Sequence, residues 1–253
     1  MGSPPPLPWL EAGDAFPPVQ QAWDARTPAP GLLAAGGALD PDSLIRAYSH
    51  GIFPWFSDGQ PTLWWSPDPR MVLKVADFRV HASFRKTLRR FARDPDCDIR
   101  VDTAFRAVIQ ACAHSPRQGQ AGTWILPEMV DAYCALHAQG RAHSVETWVR
   151  GQLVGGLYCV ALGKAVFGES MFSRVTDTSK IALAALVCMC RHFGVTQIDC
   201  QQNTRHLQSM GAREVPRHRF VQAAGEDALA QDCHWKFEPL YWNHLQSGPP
   251  SHS

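Results

Sequence analysis

The chain has 253 residues, 45% apolar and 19% charged, and its 24 Lys+Arg against 23 Asp+Glu leave a formal charge of +1. That composition belongs to a folded protein of one or two domains and excludes whole-chain disorder. The longest strongly apolar stretch, 181–190, is about half of what a bilayer-spanning helix needs, no basic segment leads into an apolar run at the start, and the eight cysteines lack CxxC spacing. The expectation is a reduced, cytoplasmic protein with no membrane span or secretory signal.

Eight prolines in the first thirty residues bar regular helix and point to an extended tail draped over the fold, disordered before about Trp9. Order is expected from 31–37 (GLLAAGG). Asp40 as N-cap, Pro41 at the first helical position and Gly51 past the end bracket a helix over 41–50. The proline- and aromatic-rich segment 51–70 has neither helical nor strand period and reads as a shaped loop surface. A short strand over 71–75 leads to a helix from Ser83, the expected N-cap, to about Arg93. Its apolar positions Phe84, Leu88 and Phe91 recur at helical spacing, and Arg85, Lys86, Arg89, Arg90 and Arg93 take the other face. Helices over 103–113 and 127–139 follow. From His143 the period changes to 2, and strands over 143–149, 152–161 and 164–170 form an antiparallel meander. A nearly all-apolar helix over 178–193 stops at Gly194, followed by a strand over 195–201, a short helix over 204–210 and a short strand over 213–216. This order predicts an α+β fold with helices covering a mostly antiparallel sheet.

Strict alternation in the strand through Asp199 sends Ile198 and Cys200 to one side and Gln197, Asp199 and Gln201 to the other. A carboxylate there must lie in a polar cleft or be fully hydrogen-bonded; the structural alternative has Asp199 capping the next helix and Gln201 supporting a loop. Glu169 ends the third meander strand after Gly168, beside Ser170 and Ser173. It either binds a ligand hydroxyl or amine, or pairs with Arg174 at the surface. Nucleophile, Walker and dinucleotide motifs are missing from the sequence, so an enzyme built on these residues positions two reactants rather than forming a covalent intermediate. Cys188 and His192 share a helix face, but without a second ligand pair they predict packing rather than a metal site. Trp9, Trp23, Trp148, Trp235 and Trp242 read as packing residues. Trp55, Trp64, Trp65 and Trp124 stand in Pro/Gly-flanked contexts suited to base stacking, and the acid-free basic run from Arg79 to Arg93 suits RNA phosphates, the alternative being a solvated charged face.

The motifs GIFPWFS (51–57), LWWSPDPR (63–70), GTWI (122–125), HSVE (143–146), VGG (154–156), FGESMFSR (167–174), SK (179–180) and IDCQ (198–201) resemble those of the bacterial leucyl/phenylalanyl-tRNA-protein transferases, over about residues 31–216. The resemblance implies an N-terminal domain over 1–75 with a Pro-rich start, and a catalytic domain over 76–253 that is similar to the GCN5-related acetyltransferases, a mostly antiparallel sheet flanked by helices. It implies transfer of Leu or Phe, with Met a third candidate, from aminoacyl-tRNA to the α-amino group of proteins with N-terminal Arg or Lys, marking them for degradation by the N-end rule. The implied enzyme is a cytoplasmic monomer that uses no metal or cofactor and no membrane. The tRNA ester already activates the acyl group, so proximity and orientation supply much of the rate.

Carried over by residue, Asp199 and Gln201 match the catalytic pair and Glu169 a residue near the terminal adenosine and the acceptor. Trp55 and Trp124 match aromatic residues around the adenosine, Leu157, Val166, Leu186 and Ile198 the wall of the aminoacyl pocket, and Lys86, Arg89 and Arg90 the tRNA-binding cluster. A glutamine is no strong base, which leaves proton removal to Asp199, water or the tRNA ribose. Val166 and Leu186 stand where the family pattern has Phe, and the Pro-rich start and the tail after Phe237 fall outside it. Two other readings are an acyl-CoA-dependent N-acetyltransferase of the same fold, which wants a glycine-rich pyrophosphate loop that 174–180 lacks, and a non-catalytic RNA-binding module.

Overall fold

A computed structural model describes residues 5–115 and 125–245. The first sheet is built from β1 (Trp9–Leu10), β2 (Leu32–Gly36), β3 (Phe53–Pro54) and β4 (Leu63–Trp65), in the order β1-β2-β4-β3, with α1 (Pro41–Ser49) between its strands. The Asp40 carboxylate accepts the Ser43 N–H at 2.7 Å, which sets the start of α1 where the sequence puts it. The proline-rich start is draped as expected: Trp9 and Leu10 pair with β2, and Val19 and Ala22 are buried. The segment 51–70 is not a plain loop. It holds β3 and β4, whose two or three residues are too few to show a period and are held by their pairing with each other and with β2. Trp64, expected on a loop surface, is fully buried, its Nε1 donating to the Gly36 carbonyl at 2.8 Å.

The second sheet has seven strands. In chain order the elements are β5 (Arg70–Lys74), α2 (Ala82–Phe91), β6 (Cys97–Val101), α3 (Phe105–Ala113), α4 (Pro127–Ala138), β7 (Ala142–Val149), β8 (Gln152–Leu162), β9 (Ala165–Ser173), α5 (Thr178–Phe193), β10 (Gln197–Gln201), α6 (Arg205–Ser209), β11 (Arg213–Val215) and α7 (Arg217–Ala228). The spatial order is β11-β5-β10-β9-β8-β7-β6, antiparallel throughout except for β9 and β10. The fold is α+β, as the pattern of elements predicts.

Alternation along β8 divides the interior. Tyr158, Val160 and Leu162 pack with α1, α3, α4 and α7, whereas Leu157 and Cys159 pack with α5 and α2. Helix α2 begins before Ser83, with His81 at the N-cap position, because His81 is held by tertiary contact: its Nε2 lies 3.0 Å from the Ser209 carbonyl. Two further elements escape the sequence reading. β6 is an edge strand carrying Asp98 and Arg100, charges that hide strand pattern, and α7 buries only Phe220 and Ala224. The tail folds back: Trp235 stacks on His143 at 4.0 Å, and Trp242 meets Phe91 of α2 edge-on at 6.5 Å.

Candidate active site

Strands β9 and β10 pair in parallel only at Val166–Ile198 and Phe167–Asp199. Just beyond, both are bulged. On β9, Glu169 is the extra residue between Gly168, opposite Cys159, and Ser170, opposite Tyr158; on β10, Cys200 is extra between Asp199 and Gln201, which face Val72 and Met71 of β5. Gly168 permits the close approach at this point, since a Cβ there would sit 3.3 Å from the Asp199 carbonyl oxygen. Bulges end pairing and re-aim side chains, and here they open a cavity of about 350 Å³. Leu157, Met171, Leu183, Leu186, Ile198 and Leu207 give it an apolar wall; Glu169 and Gln201 stand on its polar side.

The bulge overturns one expectation. Gln201 takes φ 58, outside strand conformation, and so lines the cavity together with Ile198 and Cys200 instead of sharing a side with Asp199. Asp199 is 1% exposed and faces Arg70, itself fully buried. Arg70 Nε and Nη2 donate to the two carboxylate oxygens at 2.8 and 2.7 Å, Nη1 donates to the Gly51 carbonyl at 3.1 Å, and the guanidinium lies between the rings of Phe53 and Phe220. Asp199 Oδ1 also accepts the Gln201 backbone N–H at 2.9 Å, which anchors the left-handed residue. Asp199 therefore meets the fully hydrogen-bonded condition. The cap of α6 is Thr204, not Asp199: the Thr204 hydroxyl accepts the Leu207 N–H at 3.2 Å.

Glu169 makes no ion pair with Arg174, whose Nη1 donates to the Leu153 carbonyl. Its Oε1 accepts from Gln201 Nε2 at 2.7 Å and its Oε2 from the Tyr133 hydroxyl at 3.2 Å. The Tyr133 hydroxyl is in turn hydrogen-bonded to that of Tyr48. Burial raises the Glu169 carboxyl to about 7; the charge of Asp199 adds to the rise, and hydrogen bonds from Tyr48, Tyr133 and Gln201 oppose it. Burial and the neighbouring Glu169 charge hold both tyrosines well above their ordinary range, so they are donors here. Tyr48, Arg70 and Tyr133 are the site residues that the sequence reading missed. Arg70 ends a motif it quoted, but the two tyrosines occupy ordinary helix-core positions and carry no local signal.

Of the expected pocket residues, Trp55, Leu157, Leu186 and Ile198 line the cavity. Val166 lies in the core behind them, packed with Leu157, Leu186 and Ile198 rather than in the wall. Trp124 lies outside the described residues. Trp65 steadies Trp55: its Nε1 donates to the Trp55 carbonyl at 2.6 Å, with the rings 5.3 Å apart. Lys86, Arg89 and Arg90 are not at the cavity. They project from α2, exposed and without an ion pair among the described residues, while Phe84, Leu88 and Phe91 are buried beneath. Cys188 is buried, which pushes its thiol up to about 12, and His192 stacks on Tyr241; among the described residues no group of three or more His, Cys, Asp or Glu is placed to hold a metal. No helix among them is long and apolar enough to cross a membrane.

The family model described as leucyl/phenylalanyl-tRNA protein transferase matches residues 72–224, and that of its N-terminal domain matches 37–68. Relatives named leucyl/phenylalanyl-tRNA–protein transferase include one from Albidiferax ferrireducens, 63% identical over 242 residues, 96% of this chain and 95% of that one. Others are from Polaromonas sp., 61% identical with the same coverage, and Paraburkholderia xenovorans, 56% identical over 92% of this chain and 95% of its own. Among solved structures, a GCN5-related N-acetyltransferase from Kribbella flavida has TM-score 0.36 and 11% identity over 65% of this chain and 57% of that one, too slight a likeness to add to the sheet order. Matched over that span and at that identity, the chain belongs to the leucyl/phenylalanyl-tRNA protein transferase family.

Proposed function

We propose that the cavity between β9 and β10 takes the aminoacyl end of Leu- or Phe-tRNA, and that Glu169 and Gln201 receive the α-amino group of a protein beginning with Arg or Lys. One observation carries this reading: a carboxyl with a pKa of about 7, hydrogen-bonded to a glutamine amide, on the polar side of an apolar cavity. The chain is an aminoacyltransferase of its family, and the chemistry asked of it is small. The amine nitrogen forms the new C–N bond, the ester bond to the ribose breaks, and the amine proton must reach the departing ribose oxygen. An α-amino group has a pKa of about 7.7–8.0, so a carboxyl near 7 is ionised often enough to attract the ammonium and is closely matched to take its proton.

Gln201 spends its amide N–H on Glu169, which leaves its carbonyl oxygen for an N–H of the acceptor. Asp199, sealed against Arg70, is a positioning residue in this reading: it fixes the Gln201 backbone and does not line the cavity. Trp55 offers a face to the terminal adenine, and Lys86, Arg89 and Arg90 meet tRNA phosphates. The acyl-CoA alternative is disfavoured at the start of α5, where Asp177, paired with Lys180 at 2.8 Å, puts a carboxylate where a pyrophosphate would need donors. The eight cysteines are free, in keeping with a reducing cytoplasm; in this reading the enzyme works there as a monomer on acceptors destined for N-end rule degradation. Two peptides differing only in a first Arg or Ala, incubated with the protein and Phe-tRNA, test the reading: the Arg peptide gains the mass of one Phe residue and the Ala peptide does not. Modification of neither peptide, or of both equally, would refute it.

A further inference from the structure

A second cavity, of about 370 Å³, flanks the segment 201–209 on its other side. Gln201, Gln202, Thr204, His206 and Leu207 line the aminoacyl cavity, whereas Asn203 and Gln208 of the same segment line the second one, with Arg79, Arg213 and Glu214. Arg79 and Arg213 are exposed, and neither guanidinium has an ion pair or hydrogen bond among the described residues. Glu214 is held by Asn203, whose Nδ2 donates to its Oε1 at 2.9 Å, so two unpaired cations face one tethered carboxylate.

The position of this cavity is fixed by contacts that fasten the start of the basic helix to α6. The Arg79 N–H donates to the Met210 carbonyl at 2.9 Å, and His81 Nε2 lies 3.0 Å from the Ser209 carbonyl. Gly211, at φ 104, runs so close to Asp77 that a Cβ would sit 2.2 Å from its carbonyl oxygen, so no other residue fits there. The second cavity is thus bordered by Arg79, which leads into the basic helix, and by the segment whose other residues line the aminoacyl cavity.

We infer that the second cavity carries the phosphodiester backbone of the unpaired 3′ end of the donor tRNA, with Arg79 and Arg213 on its phosphates. The inference rests on the tRNA placement proposed above. A donor whose helical stem lies on α2 and whose terminal adenosine lies by Trp55 would pass α6, and beside α6 the second cavity offers the cations of Arg79 and Arg213 and the amides of Asn203 and Gln208. Phosphate contacts supply position and affinity rather than sequence choice, so the site fits any tRNA end.

The test compares two donors, Phe-tRNA and phenylalanyl-adenosine, which has no phosphate, on wild type, Arg79→Ala, Arg213→Ala and the double variant. With Phe-tRNA the double variant should raise KM about tenfold, and each lost contact should flatten the log–log salt dependence of tRNA binding by about 0.7. With phenylalanyl-adenosine the four proteins should agree within about twofold, and Arg213→Lys should keep most of the tRNA affinity, since a point charge serves a phosphate. Unchanged KM and salt slope would overturn the route, and so would equal losses on both donors, which would assign the arginines to the folding of α6. If wild type itself failed to transfer from Phe-tRNA, the proposed function would fall, a result distinct from either.

Discussion

Two glutamates of the seven-stranded sheet, Glu146 on β7 and Glu169 on β9, show how surroundings divide structural work from chemistry. Glu146 is fully buried and takes four donors: the Thr103 hydroxyl, the Ala104 N–H at 2.7 Å, the Ser144 hydroxyl at 2.8 Å and Trp148 Nε1 at 2.9 Å. Its oxygens face only protein, and it ties the start of α3 to the sheet. Glu169 sits on a bulge, shares its oxygens between Tyr133 and Gln201, and borders the cavity. A carboxylate enclosed by donors holds a fold together, whereas one left open to a cavity can meet a substrate. Asp199 belongs with Glu146 in this respect, although it lies two residues from Gln201.

The contrast can be broken most severely at Glu146. Glu146→Ala takes the acceptor from four donors, of which the Ser144 hydroxyl is buried and the Ala104 N–H and Trp148 Nε1 are half-buried, each buried donor costing about 1–3 kcal/mol when unsatisfied, against a total stability of about 5–15 kcal/mol for an ordinary domain; the variant should melt well below wild type by circular dichroism. Arg70→Met comes next. It leaves the buried Asp199 carboxylate without its cationic partner, a loss of about 3–5 kcal/mol, and Arg70→Met with Asp199→Leu should recover much of that stability in denaturant titration while transfer stays low, because the Gln201 N–H has lost its anchor. Recovery of transfer along with stability would give Asp199 no part in holding Gln201.

Glu169→Gln should act in the opposite direction. An acid whose folded pKa, about 7, lies above its unfolded value of 4.5 makes the fold less stable as pH rises between the two, and the full cost is present above about 7. The variant is free of that cost, so it should melt above wild type at about pH 8 and coincide with it near pH 4. A lower melting temperature at pH 8 would make Glu169 a structural residue like Glu146. The smallest effect is expected at Leu186, on the apolar wall of the cavity. Leu186→Phe narrows an apolar wall and should shift the Leu-over-Phe preference by about tenfold at most; an unchanged ratio in competition between Leu-tRNA and Phe-tRNA would place residue 186 outside the specificity wall.

How far the sequence was legible follows from where its periodicities hold. The meander, the apolar helix α5 and the two-faced helix α2 announce themselves because each keeps one period over several turns or pairs, and α5 runs over the expected 178–193. The site is different. Ile198, Leu157, Leu186, Glu169 and Gln201 are all legible in the sequence, yet alternation puts Gln201 beside Asp199, because nothing local in 197–201 marks Cys200 as the extra residue of a bulge. That mark lies on β5, where Val72 and Met71 take Asp199 and Gln201 as successive partners. Tyr48, Arg70 and Tyr133 are not legible for the same reason: each is brought to Glu169 or Asp199 by tertiary packing from another element. β3 and β4 are strands only by virtue of their partners.

The most direct measurement is the ratio of transfer rates, wild type over Glu169→Gln, from Phe-tRNA to an Arg-starting peptide as a function of pH. The titration of the acceptor amine is common to both proteins and cancels in the ratio, leaving that of Glu169. With its carboxyl at about 7, the ratio should rise about tenfold between pH 6 and 8, within an overall advantage of about 10²–10⁴ for the wild type. A ratio that stays constant over that range would contradict the account, since Glu169 would then influence the site without exchanging a proton there.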